Sequence, residues 1–347
     1  MTDEKRNGKK PLMEVKDITK KFPGVKALDN VSLTFYPGEI HAVVGENGAG
    51  KSTLMKVMAG AYKPDQGTIY FQDEKVSFSH PVEAQRMGIS IIYQEFNLLP
   101  ERTVAQNIYL GREPSKFGVI NLRQLNKQTE DVLKDLGVDK MISPTSMVSS
   151  LSVAEQQLVE IAKAISLNAK VLIMDEPTAS LTNTEVNLLF ELISTLKAKD
   201  LAIIFISHRL FEVFGIAEKI TVLKDGALIG TKFTDQVNTE DIVYMMVGRV
   251  LDHYFPPLGS EEEFGDVVLK IENGSNDFLQ NISLELRKGE VLGVAGLQGS
   301  GRTELAQALF GVVPFKSGKI ELKGKMVTIN NPTRAIKHRL GFVTEDR

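Results

Sequence analysis

Hydrophobic residues fall along this chain in two periods. Residues 40–44, 89–93, 171–174 and 202–206 are short runs dominated by Ile, Val, Leu, Ala and Met. Apolar runs of this length without polar alternation predict strands covered on both faces. Residues 13–15 and 31–35 alternate and predict half-buried strands, with the turn Phe22-Pro23-Gly24-Val25 between them. Residues 53–58, 81–87 and 184–197 carry helical spacing; the second stops at Gly88, a C-terminal cap, and the third is amphipathic. Lys63 to Gly67 is a turn before a strand-like stretch at 68–71. From Gln94 to about Asn168 the pattern is mostly helical, broken at 111–114 and at Ser143-Pro144. Strands alternating with helices predict an α/β fold with a mainly parallel sheet, interrupted between Gln94 and Val171 by a helical insertion.

The chain also repeats itself. Ile282, Gly289, Gly296, Gly301, Gly311, Gly318 and Pro332 mirror Val31, Gly38, Gly45, Gly50, Gly60, Gly67 and Pro81 at a constant offset of 251 residues. An ungapped run of this kind predicts tandem copies of one domain. The expected boundaries are 12–247 for the first copy, with its helical part at about 95–170, and 267–347 for the second. Between them 248–266, with Pro256-Pro257 and three successive glutamates at 261–263, is expected to be an acidic linker. The second copy reaches Arg347, which corresponds to the region of Gln94, so roughly 150 residues of a full repeat are expected to be missing.

Composition narrows the picture further. With 347 residues, two domains are the natural expectation. A net charge of −3 gives no case for non-specific nucleic-acid binding, and no nucleic-acid partner is implied. The absence of cysteine excludes disulfides and thiolate metal sites. Residues 1–10 lack an apolar signal core, and no apolar run approaches the ~18 residues of a membrane span. The chain is expected to be soluble, with any membrane role arising through a partner.

The chemistry concentrates after the first apolar run. Gly45-Glu46-Asn47-Gly48-Ala49-Gly50-Lys51-Ser52-Thr53 satisfies G-x-x-x-x-G-K-[ST], with a strand before it and a helix after it, the setting of a phosphate-binding P-loop. Its glycines let successive N–H groups face an anion, and the helix N-terminus adds partial positive charge. Lys51 is expected to reach the β- and γ-phosphates of ATP, and the Ser52 hydroxyl to coordinate Mg²⁺. The strand at 171–174 runs into Asp175-Glu176. Asp175 is placed to hold Mg²⁺ and Glu176 to poise a water against the γ-phosphate as general base.

With these motifs in order, together with Gln94, Leu151-Ser152, Asp175-Glu176-Pro177-Thr178, Ala179-Ser180-Leu181-Thr182 and His208, the chain resembles an ABC-transporter ATPase. More narrowly, residues 22–28 and 296–305 resemble the tandem ATP-binding subunits of bacterial monosaccharide importers of the ribose, galactose and xylose type. The resemblance implies a P-loop NTPase domain with an added antiparallel β subdomain. Phe22 then matches the aromatic that stacks on adenine, and Gln94 the glutamine that senses Mg²⁺ and the attacking water. His208 matches the switch histidine at the γ-phosphate. The implied partners are transmembrane permease subunits, an extracytoplasmic sugar-binding protein acting through them, and the second ABC domain of the same chain. The implied location is peripheral, on the cytoplasmic face of the bacterial cell membrane. Import of nucleosides or another small polar solute fits the same motifs, because the ATPase never touches the cargo. A soluble ribosome-associated ABC ATPase fits less well, because such proteins carry a longer, charged helical linker.

Two positions depart from the family pattern. Leu151-Ser152-Val153-Ala154-Glu155 stands where Leu-Ser-Gly-Gly-Gln is usual. The added side chains hinder close backbone approach to a phosphate, while Ser152 and Glu155 predict a capping box opening a helix at 153–167. Arg302 replaces the lysine of the second P-loop, and a forked guanidinium is no geometric substitute for an ammonium. Because ABC domains pair head-to-tail, both departures would meet in one degenerate composite site, leaving the first P-loop in the competent one.

Overall fold

The computed structural model of the protein describes residues 10–248, 264–297 and 299–344. The chain divides into two compact units, Met1–Leu251 and Asp252–Arg347. Most of the linker expected at 248–266 lies outside the described residues.

The first unit begins with an antiparallel hairpin of β1 (Met13–Phe22) and β2 (Val25–Phe35). Their turn is Pro23-Gly24, where proline presets one φ and Gly24, at φ 79°, takes the left-handed position. The strands therefore extend well beyond the alternating residues at 13–15 and 31–35. A further pair, β4 (Gln66–Phe71) and β5 (Glu74–Val76), completes a four-stranded sheet in the order β2-β1-β4-β5.

The main sheet has six strands: β3 (Ile40–Val44), β6 (Ile89–Ile92), β9 (Val171–Asp175), β10 (Ala202–Ile206), β11 (Lys219–Lys224) and β12 (Ala227–Phe233). Their order is β12-β11-β3-β10-β9-β6, parallel except for the β11–β12 hairpin. β10 sends Ile203 and Phe205 to one face, and Ala202, Ile204 and Ile206 to the other. Burial on both faces is why its sequence is apolar throughout. One face packs on α1 (Lys51–Met58), α2 (Pro81–Met87) and the antiparallel sheet. The other packs on α6 (Asn183–Ala198), α7 (Leu210–Ile216), α8 (Thr239–Val247) and the insertion.

The insertion comprises α3 (Val104–Ile108), a hairpin of β7 (Ser115–Lys116) and β8 (Val119–Ile120), α4 (Leu122–Asp135) and α5 (Val153–Ile165). The hairpin is the one non-helical surprise. Its two-residue strands are too short to show a period, and its turn uses positive φ at Phe117 and Gly118. Among the described residues no helix is long and apolar enough to cross a membrane.

The second unit rebuilds the start of the first. β13 (Val267–Ser275), β14 (Ile282–Arg287), β15 (Ser317–Leu322) and β16 (Lys325–Val327) pair in the order β14-β13-β15-β16, with α9 (Arg302–Phe310) and α10 (Pro332–Lys337). The likeness reaches individual bonds. Asp17 donates its N–H to Ser32 Oγ at 2.8 Å, and Asn273 does so to Ser283 Oγ at 3.0 Å. Ser283 lies 251 residues beyond Ser32 but Asn273 lies 256 beyond Asp17, so the second hairpin is five residues shorter. Residues 291–295, which match β3, form no strand, and Val291 is 92% exposed. In the first unit β3 bonds to β10 and β11; no described strand of the second unit flanks 291–295.

Candidate functional site

The parallel strands β3, β10, β9 and β6 end at one edge of the main sheet, where α/β folds gather ligand-binding loops. The loop after β3 carries residues 45–50. A Cβ at Gly45 would meet the Leu223 carbonyl oxygen at 2.3 Å, and one at Gly50 would meet the Ala27 carbonyl oxygen at 2.5 Å. Gly50 also sits at φ 100° as the N-cap of α1. Neither position admits a side chain, so the glycine spacing follows from steric need. Glu46, Asn47 and Gly48 form the exposed rim, while Ala49 is buried and Thr53 half-buried.

Lys51 begins α1 and is 7% exposed. Its ammonium donates to the Gly45 carbonyl at 2.7 Å and the Glu46 carbonyl at 3.0 Å, spanning the loop. Burial pulls its pKa below the usual lysine range, and the nearby Glu176 and Asp175 carboxylates act in the opposite direction. Ser52, exposed at the helix start, hydrogen-bonds to Asp175. Asp175 ends β9, and its pKa is raised chiefly by burial and further by Glu176.

Glu176 stands at the centre of the site. Its Oε1 lies 2.9 Å from His208 Nδ1, and its Oε2 accepts from Gln94 Nε2 at 3.3 Å. His208 thus meets the carboxylate through Nδ1, which leaves Nε2 for another partner. Gln94 follows β6, Glu176 follows β9 and His208 follows β10; three adjacent parallel strands bring these side chains together. Glu176 adopts φ 48°, a left-handed conformation for a residue with a Cβ, held by its N–H on the Ile206 carbonyl at 3.0 Å. Such strain costs about 1 kcal/mol or more.

Phe22 closes β1, opposite Val25. Its ring meets Tyr62 edge-on at 5.4 Å, with the Lys20 ammonium 5.5 Å from the ring centre. Tyr62 was invisible as a neighbour in the sequence, being forty residues away. Ser152 caps α5, accepting the Glu155 N–H at 3.3 Å while Glu155 Oε2 accepts the Ser152 N–H at 2.7 Å. The capping box forms as its spacing predicts. Arg302 begins α9 but is exposed, in contrast to the buried Lys51.

Sequence reasoning also overlooked Glu212. It is fully buried on α7 and accepts from Thr178 Oγ1 at 2.6 Å, Ser207 Oγ at 3.0 Å and Arg209 Nη1 at 3.2 Å. It thereby ties the loop after Glu176 to the loop bearing His208. The available signal was an acid inside the otherwise apolar run 210–216.

Residues 28–179 and 279–347 match the family described as ABC transporter. A candidate ribose/galactose/methyl galactoside import ATP-binding protein from Hahella chejuensis is 47% identical over 338 residues, 97% of this chain and 65% of that protein. The ribose import ATP-binding protein RbsA 1 of Rubrobacter xylanophilus is 47% identical over 339 residues, 97% of this chain and 67% of that one. The chain thus spans about two thirds of the length of the curated relatives it matches. The crystal structure of an ATP-binding cassette of an ABC transporter in its ADP conformation aligns with a TM-score of 0.60 at 27% identity, covering 69% of this chain and all of that one. With more than half its residues in a family match that falls into two segments, one in each unit, the chain belongs to the ABC transporter family.

Proposed function

We propose that this chain binds and hydrolyses ATP to power import of a monosaccharide through a membrane permease. The observation that carries the reading is the Gln94–Glu176–His208 cluster beside the P-loop. Lys51 and the backbone of residues 45–53 bind the phosphates. Ser52 and Asp175, with the Gln94 amide, are oxygen donors suited to Mg²⁺, a hard cation that takes few protein ligands and completes its shell with phosphates and water. When bound, the ion neutralises charge on the transferring phosphoryl group. Glu176, fixed on both sides, accepts the proton of the attacking water. His208, anchored through Nδ1, turns its other nitrogen to the γ-phosphate.

The likeness to ribose and galactose import proteins supports the monosaccharide cargo. Arg302 in place of the P-loop lysine, and the side chains of Val153 and Ala154 where glycines are usual, support weakened phosphate handling at each of those two positions. The location that follows is the cytoplasmic face of the cell membrane, bound to permease subunits that receive sugar from an extracytoplasmic binding protein. The test is uptake into proteoliposomes holding the complete subunit, its permease and the binding protein. ATP-dependent uptake of ribose, galactose or xylose is expected. Uptake of a nucleoside but of none of these sugars would overturn the cargo assignment.

Phe22 supplies a second test. Its ring is expected to stack on adenine, so Phe22→Ala should raise the Kd for MgATP about tenfold, given roughly 1–3 kcal/mol for base–aromatic stacking. Calorimetric titration measures this, with GTP as a comparison. Unchanged ATP affinity would return Phe22 to a purely packing role against Tyr62.

A further inference from the structure

Glu160 is a buried acid that the proposed chemistry does not use. It lies on α5 and is 8% exposed, on a helix whose neighbouring buried residues are Leu158, Val159, Ile161 and Ala162. Burial raises its pKa above the usual carboxylate range. An alanine at this helical position would escape that desolvation cost, so the acid needs a reason. Its Oε1 accepts the backbone N–H of Asn97 at 2.8 Å. One turn later Lys163 Nζ reaches the Asn97 carbonyl at 3.5 Å. Both main-chain polar groups of Asn97 are thus held by α5.

Asn97 belongs to the segment that begins with Gln94. Two residues on, the same segment is gripped again by the fully buried Asn107 of α3. Asn107 accepts the Leu99 N–H at 2.7 Å and donates to the Leu99 carbonyl at 3.0 Å. The near end of the segment reaches Glu176 through Gln94 at 3.3 Å. A cavity of about 270 Å³, lined by Tyr93, Asn97, Glu160 and Lys163 among others, lies beside the segment and leaves it room to move. The same helix α5 is capped by Ser152, in the stretch where the chain departs from the usual family pattern. We propose that Glu160 is a positioning residue that, through the Asn97 amide, fixes the segment presenting Gln94 to Glu176 and so transmits displacement of α5 to the catalytic carboxylate.

This rests on the ATPase reading above, and the experiment separates the two. In the complete subunit–permease complex, Glu160→Ala is expected to lower kcat about tenfold or more while the Kd for MgATP stays within about twofold, as a small misplacement of a catalytic group would do. Glu160→Gln keeps an oxygen that can accept the Asn97 N–H and should restore most of the rate. Val159→Ala, a cavity in the same helix with no bond to Asn97, should cost stability and leave kcat within about twofold. Hydrogen exchange at the Asn97 amide, which needs no turnover, should accelerate in Glu160→Ala and not in Glu160→Gln. Wild-type kcat in Glu160→Ala, equal loss in both Glu160 variants, or equal loss in Val159→Ala would overturn the proposal. A wild-type complex that hydrolyses no ATP would overturn the functional reading instead, while exchange at Asn97 still decides whether the tie exists.

Discussion

Glu176→Gln is expected to reduce ATP hydrolysis by about 100-fold or more while leaving MgATP bound, the range associated with loss of a positioned general base. Glutamine is nearly isosteric, so the left-handed turn at φ 48° and the bond from its N–H to Ile206 should persist. What is lost is the ability of the side chain to take a proton. The amide can still offer its oxygen to either Gln94 or His208, but not to both, since one terminus becomes an NH₂ donor. The variant should therefore accumulate an ATP-bound state. This is measured by comparing single-turnover hydrolysis with equilibrium binding of a fluorescent ATP analogue. Retained turnover would remove Glu176 from the chemistry and leave His208 or Gln94 to explain it.

Loss of nucleotide binding should follow from Lys51→Ala, with a Kd for MgATP raised about 100-fold or more, as expected for removing a charged, desolvated partner of the phosphates. The ammonium bonds to the Gly45 and Glu46 carbonyls, and burial already holds its pKa down. It is therefore a charge poised for an anion and held in the loop by two carbonyls. Alanine leaves those carbonyls facing a cavity and the approaching phosphates without their cation. Lys51→Arg should not rescue binding, because a bulkier planar fork does not reproduce the geometry of a compact ammonium bonded to two carbonyls. Calorimetry on both variants tests this, with thermal unfolding to confirm that the fold survives. Tight MgATP binding by Lys51→Ala would refute the assignment of this loop.

Much of the site was legible because its constraints are local. Lys51 is fixed by its place at the first turn of α1 and by carbonyls five and six residues before it, whereas the carbonyls that exclude side chains at Gly45 and Gly50 come from the distant Leu223 and Ala27. Asp175 ends a strand whose apolar run stops there. The capping box at Ser152 and Glu155 is likewise a contact three residues long. Longer elements were less readable. β1 and β2 outrun their alternation because the Pro23-Gly24 turn and pairing with β4 hold residues that have no apolar period.

The spacing of short-range motifs was enough to indicate a P-loop fold, a repeat at a 251-residue offset and the acidic pair Asp175-Glu176, while Gln94 and His208 were pointed to by the resemblance to ABC ATPases. Their meeting was not in the spacing. Gln94, Glu176 and His208 are 82 and 32 residues apart, and only the parallel order β10-β9-β6 sets them side by side. The same holds for Glu160 on Asn97, Glu212 on Thr178 and Ser207, and Tyr62 on Phe22. Local chemistry is written in residue order, because turns, caps and loops close within a few residues. Contacts across a sheet depend on which strands pair, and that is decided by burial of whole faces.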